Sequence, residues 1–326
     1  LSTRTAIPRV WQDGGVPETN GPHAINDPRW PTTVRVACAN FAAVPRDKAA
    51  TLAKMLRIVD DAADAGADLV IFPELALNTW GGCAECAEAH SPCAWHLAEA
   101  EPAAGPSAQS IAAAAAHRSL HVIYGYEEVG DTEGVIHNSA NLIRPNGEIS
   151  TYRKLHLGIP LETDRFTPGD ELPVFETELG PIAISICYDF YNNPELARIQ
   201  CFKGARLLVN PTGRSDLPRA RENLTHATLI RAQENLVAAA SSNRVGSDHG
   251  DSRWAGGSVI AHTGFPGFGV VLASADEDEE LIVADIDFDE IAQWHDWLPW
   301  TDWRLGEQRP ITELVRREFD ALLADD

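Results

Sequence analysis

The octapeptide Ala67-Asp68-Leu69-Val70-Ile71-Phe72-Pro73-Glu74 is where the architecture of this chain first becomes readable. Leu69 to Phe72 are apolar without interruption, and the run stops at a proline and a carboxylate. A continuous apolar run this short reads as a strand buried on both faces. On its N-terminal side, Leu52, Met55, Leu56 and Val59 fall at helical spacing within Asp47 to Ala65, and Gly66 follows as the stop. Earlier still, Val34, Val36 and Cys38 occupy alternate positions in Thr33 to Asn40, a strand pattern.

On the C-terminal side the pattern continues. Residues 81 to 106 are an excursion rich in Cys, Ala and Pro, followed by an Ala-rich helix over Ser107 to His117 and a strand over His121 to Tyr126. His137 to Arg144 and Glu148 to Lys154 flank Pro145-Asn146-Gly147, a hairpin signal. Val174 to Thr177 and Ile182 to Cys187 flank a second turn, Leu179-Gly180-Pro181. A helix over Pro194 to Lys203, a strand over Ala205 to Asn210, a helix over Arg219 to Asn235 and a strand over Val237 to Asn243 come next. Gly257 to His262 is expected to pair with Gly269 to Ser274, and Glu280 to Ile286 to close that sheet. The class is therefore α/β. Strand–helix–strand followed by strand–strand recurs in both halves, so two similar mixed sheets are expected face to face with helices outside. No linker divides the chain. The expected organisation is an extended arm over 1–32, one domain over 33–315 and a tail over 316–326.

The 326 residues can bury a sizeable core, and 44% hydrophobic with 23% charged residues is ordinary for a globular protein. No run approaches about eighteen consecutive apolar residues, so no spanning helix is expected. The arm has no basic flank leading into an apolar core, which argues against a secretory signal; Leu1 is not an initiator, so the true start is expected to lie upstream. The formal charge of −22 disfavours nucleic acid and anionic membrane as partners. It serves solubility, or attracts a cationic substrate. Six cysteines without a signal read as reduced thiols in the cytoplasm rather than a disulfide framework.

Three apolar runs end on reactive side chains. Glu74 ends the first run, where it is either an exposed strand-end glutamate in a loop or a carboxylate drawn out of bulk water to serve as a general base. Lys154 ends Tyr152-Arg153-Lys154, where it is either an edge charge that discourages aggregation or a fixed cation for an oxyanion. Cys187 ends Ile182-Ala183-Ile184-Ser185-Ile186 before a turn and a helix. It is either a buried structural thiol or a nucleophile on an elbow, its pKa lowered by the helix terminus and a nearby cation.

In this order, Glu74, Lys154 and Cys187 resemble the triad of the nitrilase (carbon–nitrogen hydrolase) superfamily, on its amidase and carbamoylase side. Leu161-Glu162-Thr163-Asp164-Arg165-Phe166-Thr167-Pro168-Gly169-Asp170 resembles the segment that supplies a second active-site glutamate, here Glu162. Arg231-Ala232-Gln233-Glu234-Asn235, Asn243-Arg244-Val245-Gly246 and Gly257-Ser258 continue the likeness, as do the strand ending at Asp285 and the segment Arg304 to Pro310. The resemblance spans about residues 33 to 315. It implies a four-layer α-β-β-α sandwich, a homodimer or higher homo-oligomer, and chemistry without metal or organic cofactor. It also implies Cys187 as nucleophile, Glu74 as base, Lys154 with the Tyr188 N–H as oxyanion clamp, and Glu162 positioning substrate or Lys154.

The chain departs from the pattern after the nucleophile. Cys187-Tyr188-Asp189-Phe190-Tyr191-Asn192-Asn193-Pro194-Glu195 is one residue longer than the usual spacing to Pro-Glu. Carbamoyl-amino-acid hydrolases place arginines where Phe190 and Tyr191 stand. The expected substrate is therefore a linear carboxamide, neutral, aromatic or cationic, with Tyr188, Phe190, Tyr191 and Trp80 as candidate contacts. Trp80 either lines the entrance or packs the excursion. An N-carbamoyl compound is the second reading and a nitrile the third; a catalytically silent binding protein is the alternative of another class. Cys83, Cys86, His90 and Cys93, with His96 close by, hold enough soft ligands for zinc, against a plain loop of thiols or a redox pair. Trp294, Trp297, Trp300 and Trp303 read as an oligomer interface or as packing onto their own subunit.

Overall fold

The computed structural model describes residues 25–78, 80, 83–247, 253–298 and 309–324. Its centre is a pair of mixed sheets, face to face. Strands of the first sheet are β1 (Thr33–Asn40), β2 (Leu69–Ile71), β3 (His121–Val129), β4 (Ile136–Ile143) and β5 (Ile149–Arg153). Those of the second are β6 (Ile182–Ile184), β7 (Leu207–Thr212), β8 (Ala238–Asn243), β11 (Val259–His262) and β12 (Val270–Ser274). Between β8 and β11 a small ribbon forms from β9 (Val245–Gly246) and β10 (Trp254–Ala255). The last strand, β13 (Glu280–Asp287), returns to the first sheet. The orders are β13-β1-β2-β3-β4-β5 and β12-β11-β8-β7-β6.

Period-two alternation explains the layering. On β1, Val34, Val36 and Cys38 enter the core between the sheets, where they meet Ile184, Val209 and Ala239. The intervening Ala37 and Ala39 face outward, under α1 (Lys48–Asp64) and α4 (Pro106–Arg118). Met55 and Val59 of α1 and Ile111 of α4 cover that face. Each such buried side chain contributes about 1.5–3 kcal/mol. The Asp47 carboxylate caps α1 by accepting from the Ala50 N–H at 2.9 Å. On the other side, α7 (Pro194–Phe202) and α8 (Ala220–Asn235) cover the second sheet, with Ala197, Cys201 and Ala232 buried against it. The result is the α-β-β-α sandwich. Among the described residues no helix is long and apolar enough to cross a membrane.

Three expectations change. Glu280–Asp287 does not close the second sheet; it pairs antiparallel with β1, Thr33 opposite Asp287 through Asn40 opposite Glu280. Local patterning cannot choose between two sheet edges, and β1 offered the free one. Val174 to Thr177 is not a strand: only Phe175 and Ile182 exchange a bridge, because Pro173 and Pro181 remove the donors on either side. The expected tail boundary at 316 falls inside α10 (Arg309–Ala324). The expected arm is described only from residue 25, where Ile25 is buried in the inter-sheet core and the Pro31 carbonyl accepts from Arg206 Nη2 at 2.7 Å. In α9 (Phe288–Trp297), Trp294 is buried and donates to the Gly264 carbonyl at 2.6 Å, packing within its own subunit. Trp300 and Trp303, and Arg304 to Gln308 of the C-terminal match, lie outside the described residues.

Candidate active site

Four of the candidate residues converge where strand ends of both sheets meet. Glu74 lies in the turn after β2, wholly buried. The turn is clamped from two sides. Gly125 of β3 passes so close that a Cβ there would stand 2.4 Å from the Leu75 nitrogen. Arg244, also buried, donates from Nη1 to the Glu74 and Leu75 carbonyls at 3.1 and 2.7 Å. Lys154 follows β5, its N–H bonded to the Asn138 carbonyl at 2.8 Å. Glu162 lies in the short helix α5 (Pro160–Thr163), and its Oε2 accepts from the Gly158 N–H at 2.9 Å.

These three side chains form one network. Lys154 Nζ donates to Glu74 Oε1 at 2.8 Å and to Glu162 Oε1. Asn138 Nδ2 braces both carboxylates, at 2.7 Å to Glu74 Oε1 and 3.3 Å to Glu162 Oε1. Burial by itself would strip the Lys154 proton, but Glu74, Cys187 and Glu162 together hold it firmly in place. Burial raises the Glu162 pKa, with Lys154 opposing and Glu74 reinforcing. Glu74 Oε2 is buried and makes no hydrogen bond among the described residues.

Cys187 occupies the sharp turn between β6 and α6 (Tyr188–Asn192), at φ 47° and ψ −99°. A non-glycine residue in this region is strained and needs support from its surroundings. The support comes from β7: the Cys187 N–H donates to Asn210 Oδ1 at 3.0 Å and to the Pro211 carbonyl at 3.1 Å. Asn210 is itself pinned by donating to Ser241 Oγ at 2.9 Å. The expectation of a thiol with a depressed pKa is reversed. Burial pushes Cys187 up to about 12, Glu74 and Glu162 push the same way, and the pull of Lys154 and of the Thr212 hydroxyl does not overcome them.

Asp189 ties the two halves together. It is fully buried and accepts from Tyr152 Oη at 2.6 Å and the Leu155 N–H at 3.0 Å on Oδ2. On Oδ1 it meets the His156 N–H at 2.8 Å and His156 Nδ1 at 3.0 Å. The segment that carries Lys154 is thus bound to the first turn after Cys187. At the other end of α6, Arg231 donates to the Phe190 and Tyr191 carbonyls at 2.9 and 3.0 Å.

The candidate contact residues separate. The Phe190 ring is in the core, 1% exposed. Tyr191 donates its hydroxyl to Thr212 Oγ1 at 3.0 Å, beside the Cys187 turn. Tyr188 is more than one-third exposed, its ring against Gly158. Trp80 is buried, stacked on Trp254 at 5.9 Å, with its Nε1 next to Gly213. Sequence reading gave no role to Asn138, Asp189, Asn210, Arg244 or Arg214. The signal was present for Asn138 and Asn210, polar residues inside wholly buried strands. Of the candidate metal ligands, His90 is corrected: it ends its helix at φ 48° and turns to Asp164 Oδ1 at 2.7 Å, largely exposed. His96 takes its place beside Cys83, Cys86 and Cys93.

The chain has known relatives. The carbon–nitrogen hydrolase family model matches residues 35–296. A probable nitrilase of Schizosaccharomyces pombe is 31% identical, covering 76% of this chain and 86% of its own. An (R)-stereoselective amidase of Pseudomonas sp. is 31% identical, covering 79% and 86%. Among solved structures, an amidase from Nesterenkonia sp. superimposes with a TM-score of 0.64 at 25% identity, over 80% of this chain and 92% of that one. Saccharomyces cerevisiae Nit3 superimposes with a TM-score of 0.71 at 20% identity, over 84% and 97%. Sequence and fold agree, and the chain belongs to the carbon–nitrogen hydrolase family, enzymes that cleave non-peptide C–N bonds.

Proposed function

We propose that this protein hydrolyses a linear carboxamide to a carboxylic acid and ammonia through a thioester on Cys187. The observation that carries the reading is the division of labour on Glu74: Oε1 is bound by Lys154 and Asn138, while Oε2 makes no hydrogen bond among the described residues. Oε2 lies beside Gly213, the neighbour of Thr212, whose hydroxyl interacts with the thiol. A base held on one oxygen and free on the other is suited to take a proton from a resting thiol.

The steps balance as follows. Cys187 Sγ attacks the amide carbon as its proton passes to Glu74. Lys154 and the Tyr188 N–H stabilise the oxyanion. Glu74 returns the proton to the nitrogen, the C–N bond breaks and ammonia leaves. Water, deprotonated by Glu74, then adds to the thioester carbon; the C–S bond breaks and the thiol regains its proton. Glu162 orients Lys154. In the Nesterenkonia amidase, a structure shows covalent addition of the acetamide moiety of fluoroacetamide at the active site cysteine, which supports the nucleophile assignment. We further propose that the enzyme works as a homo-oligomer in the cytoplasm.

A second reading has one observation behind it. The Arg214 guanidinium lies 5.1 Å over the Tyr191 ring, and Arg214 Nε is buried without a partner among the described residues. It could grip a substrate carboxylate, as in an N-carbamoyl amino acid or a carboxylate-bearing amide. Ammonia release tests both readings, across aliphatic, aromatic, cationic and carboxylate-bearing amides, N-carbamoyl compounds and nitriles. Amide turnover that disappears in Cys187→Ala supports the first. Preference for a carboxylate-bearing substrate, with KM rising in Arg214→Met, selects the second. Substantial turnover by Cys187→Ala would sink the mechanism.

A further inference from the structure

We propose that Cys83, Cys86, Cys93 and His96 form a structural zinc site that staples the excursion after Trp80 onto β3. The four ligand atoms lie within 4.8 Å of one another. They come from two half-sites of the same design. Cys83 is the N-cap of α2 (Ala84–Ala89), and Cys86 follows it by three residues. Cys93 is the N-cap of α3 (Ala94–Glu99), and His96 follows it by three residues. A residue at the cap and one in the first turn lie on the same side of a helix end. Two such ends therefore present four donors to one point.

The distances suit a metal. Cys83 Sγ and Cys93 Sγ are 3.7 Å apart. Two sulfurs each about 2.3 Å from a tetrahedral zinc stand about 3.8 Å from each other, whereas a disulfide needs about 2.0 Å. The Cys93 N–H points at Cys86 Sγ at 3.2 Å, the type of bond that steadies a metal thiolate.

The histidine is oriented as a ligand. His96 is buried, and its Nδ1 meets both oxygens of the buried Glu127 carboxylate, at 2.8 and 3.1 Å. That contact occupies Nδ1 and leaves Nε2 as the nitrogen for the sulfurs. A carboxylate behind a histidine, opposite the metal, is the arrangement that fixes tautomer and ring direction in zinc sites. Three thiolates and one imidazole within 4.8 Å of one another are a soft donor set that selects zinc over magnesium or calcium.

The fold gives this segment a reason to need a staple. α2 and α3 have six residues each, and neither N-cap side chain makes a capping bond. Helices this short are not stable on their own. The site is also wired to the catalytic wall. Glu127, which holds His96, is 3.4 Å from Arg165 Nη1, and the Arg165 guanidinium lies 5.7 Å over the Trp80 ring. Trp80 in turn touches Gly213 beside Glu74. Zinc takes no part in the C–N chemistry; it holds the wall on which Trp80 stands.

The test uses the full chain, purified reduced from zinc-supplemented cells. Elemental analysis is expected to find one zinc per chain, unchanged in Cys187→Ala. Demetallated, reduced protein titrated with Co²⁺ is expected to saturate at one equivalent, with thiolate-to-cobalt charge-transfer bands and the d–d bands of a tetrahedral site. Glu127→Gln should weaken cobalt binding about 10- to 100-fold, and Cys86→Ser and His96→Ala should weaken it further. Chelation should lower the melting temperature of the wild type. Where a variant does not fold, the wild-type titration decides. Folded, reduced wild type with neither zinc nor a tetrahedral cobalt spectrum overturns the proposal. So does a metal-free protein isolated with a Cys83–Cys93 disulfide, or zinc retained in full by both Cys86→Ser and His96→Ala.

Discussion

Asp189→Asn is the substitution that most directly probes how Cys187 and Lys154 are held in register. It preserves volume and removes only one charge and half of the acceptor capacity. The carboxylate serves two donor pairs, Tyr152 Oη with the Leu155 N–H on one oxygen and the His156 N–H with His156 Nδ1 on the other. An amide presents its oxygen to one pair and its NH₂ to the other. The tyrosine hydroxyl or the imidazole can turn to accept, but a backbone N–H cannot, and it is left buried against another donor. Losing two charge-assisted bonds at about 1.5–2 kcal/mol each gives a destabilisation of about 3–4 kcal/mol. For a chain of this size that corresponds to a melting temperature lower by about 5 °C. The Lys154 segment then slides relative to Cys187, and a misplacement near 1 Å costs on the order of 10²-fold in rate. Calorimetry and steady-state kinetics on the best amide give both numbers. Because Asp189 acts through Lys154 rather than on substrate, kcat should fall while KM stays nearly constant. A melting temperature within about one degree of wild type, together with unchanged kcat, would refute the reasoning.

Gly213→Ala puts a methyl 2.4 Å from Trp80 Nε1 and 3.1 Å from Glu74 Oε2. The stacked indole has little room to yield, so we expect about 1–3 kcal/mol of destabilisation with a loss of kcat/KM; wild-type kinetics would show that the Gly213 backbone does not line the reacting centre. For Cys187, folded and unfolded thiols differ in a definite direction. From its ordinary value of 9.0 up to about 12, the folded chain keeps a proton that the unfolded chain has released. Its contribution is fully present below pH 9 and is lost at about 1.4 kcal/mol per pH unit as pH rises toward 12. Cys187→Ala should flatten that alkaline loss, and thiolate absorbance assigned by difference from Cys187→Ala should not develop below about pH 10; ionisation near neutrality would reverse the assignment.

Much of this was legible in the sequence because buried strands carry their own signal. Leu69 to Ile71, Ile182 to Ile184 and the β4–β5 hairpin announce themselves through apolar runs and an Asn-Gly turn, and Glu74, Cys187 and Lys154 follow their ends. What was not legible depends on long-range choices. Glu280–Asp287 crosses to a strand nearly 250 residues away, and no local pattern encodes that edge. His90 and His96 have the same composition and neighbourhood in sequence; only the helix phase after Cys93 decides which one meets the sulfurs. Phe190 has the same difficulty: its place just after Cys187 made it a candidate contact, and the turn of α6 sends it to the core. The Cys187 thiol was misread for a different reason. The sequence displays one nearby cation, but the balance is set by burial and by two carboxylates that arrive from a turn and a short helix elsewhere in the chain.

That balance bears on why the site is built with two glutamates and one lysine. With both carboxylates ionised and Lys154 charged, the buried network holds one net negative charge, and a thiolate would make it two without water to screen them. Keeping the thiol protonated avoids this. On the proposed path the proton moves from Cys187 to Glu74 as the oxyanion forms, so the network still holds one net negative charge at the tetrahedral stage. Charge is relocated within reach of Lys154 rather than created in a low-dielectric site, and the lysine's hydrogen bond to Glu74 weakens just as the oxyanion needs a partner. A lone ion pair of Lys154 with Glu74 would relax when Glu74 is protonated. Glu162 and Asn138 prevent that by holding Lys154 in place through its second carboxylate. On this argument Glu162 matters most after Glu74 has taken the proton, when it is the ammonium's only remaining ionised carboxylate in the network.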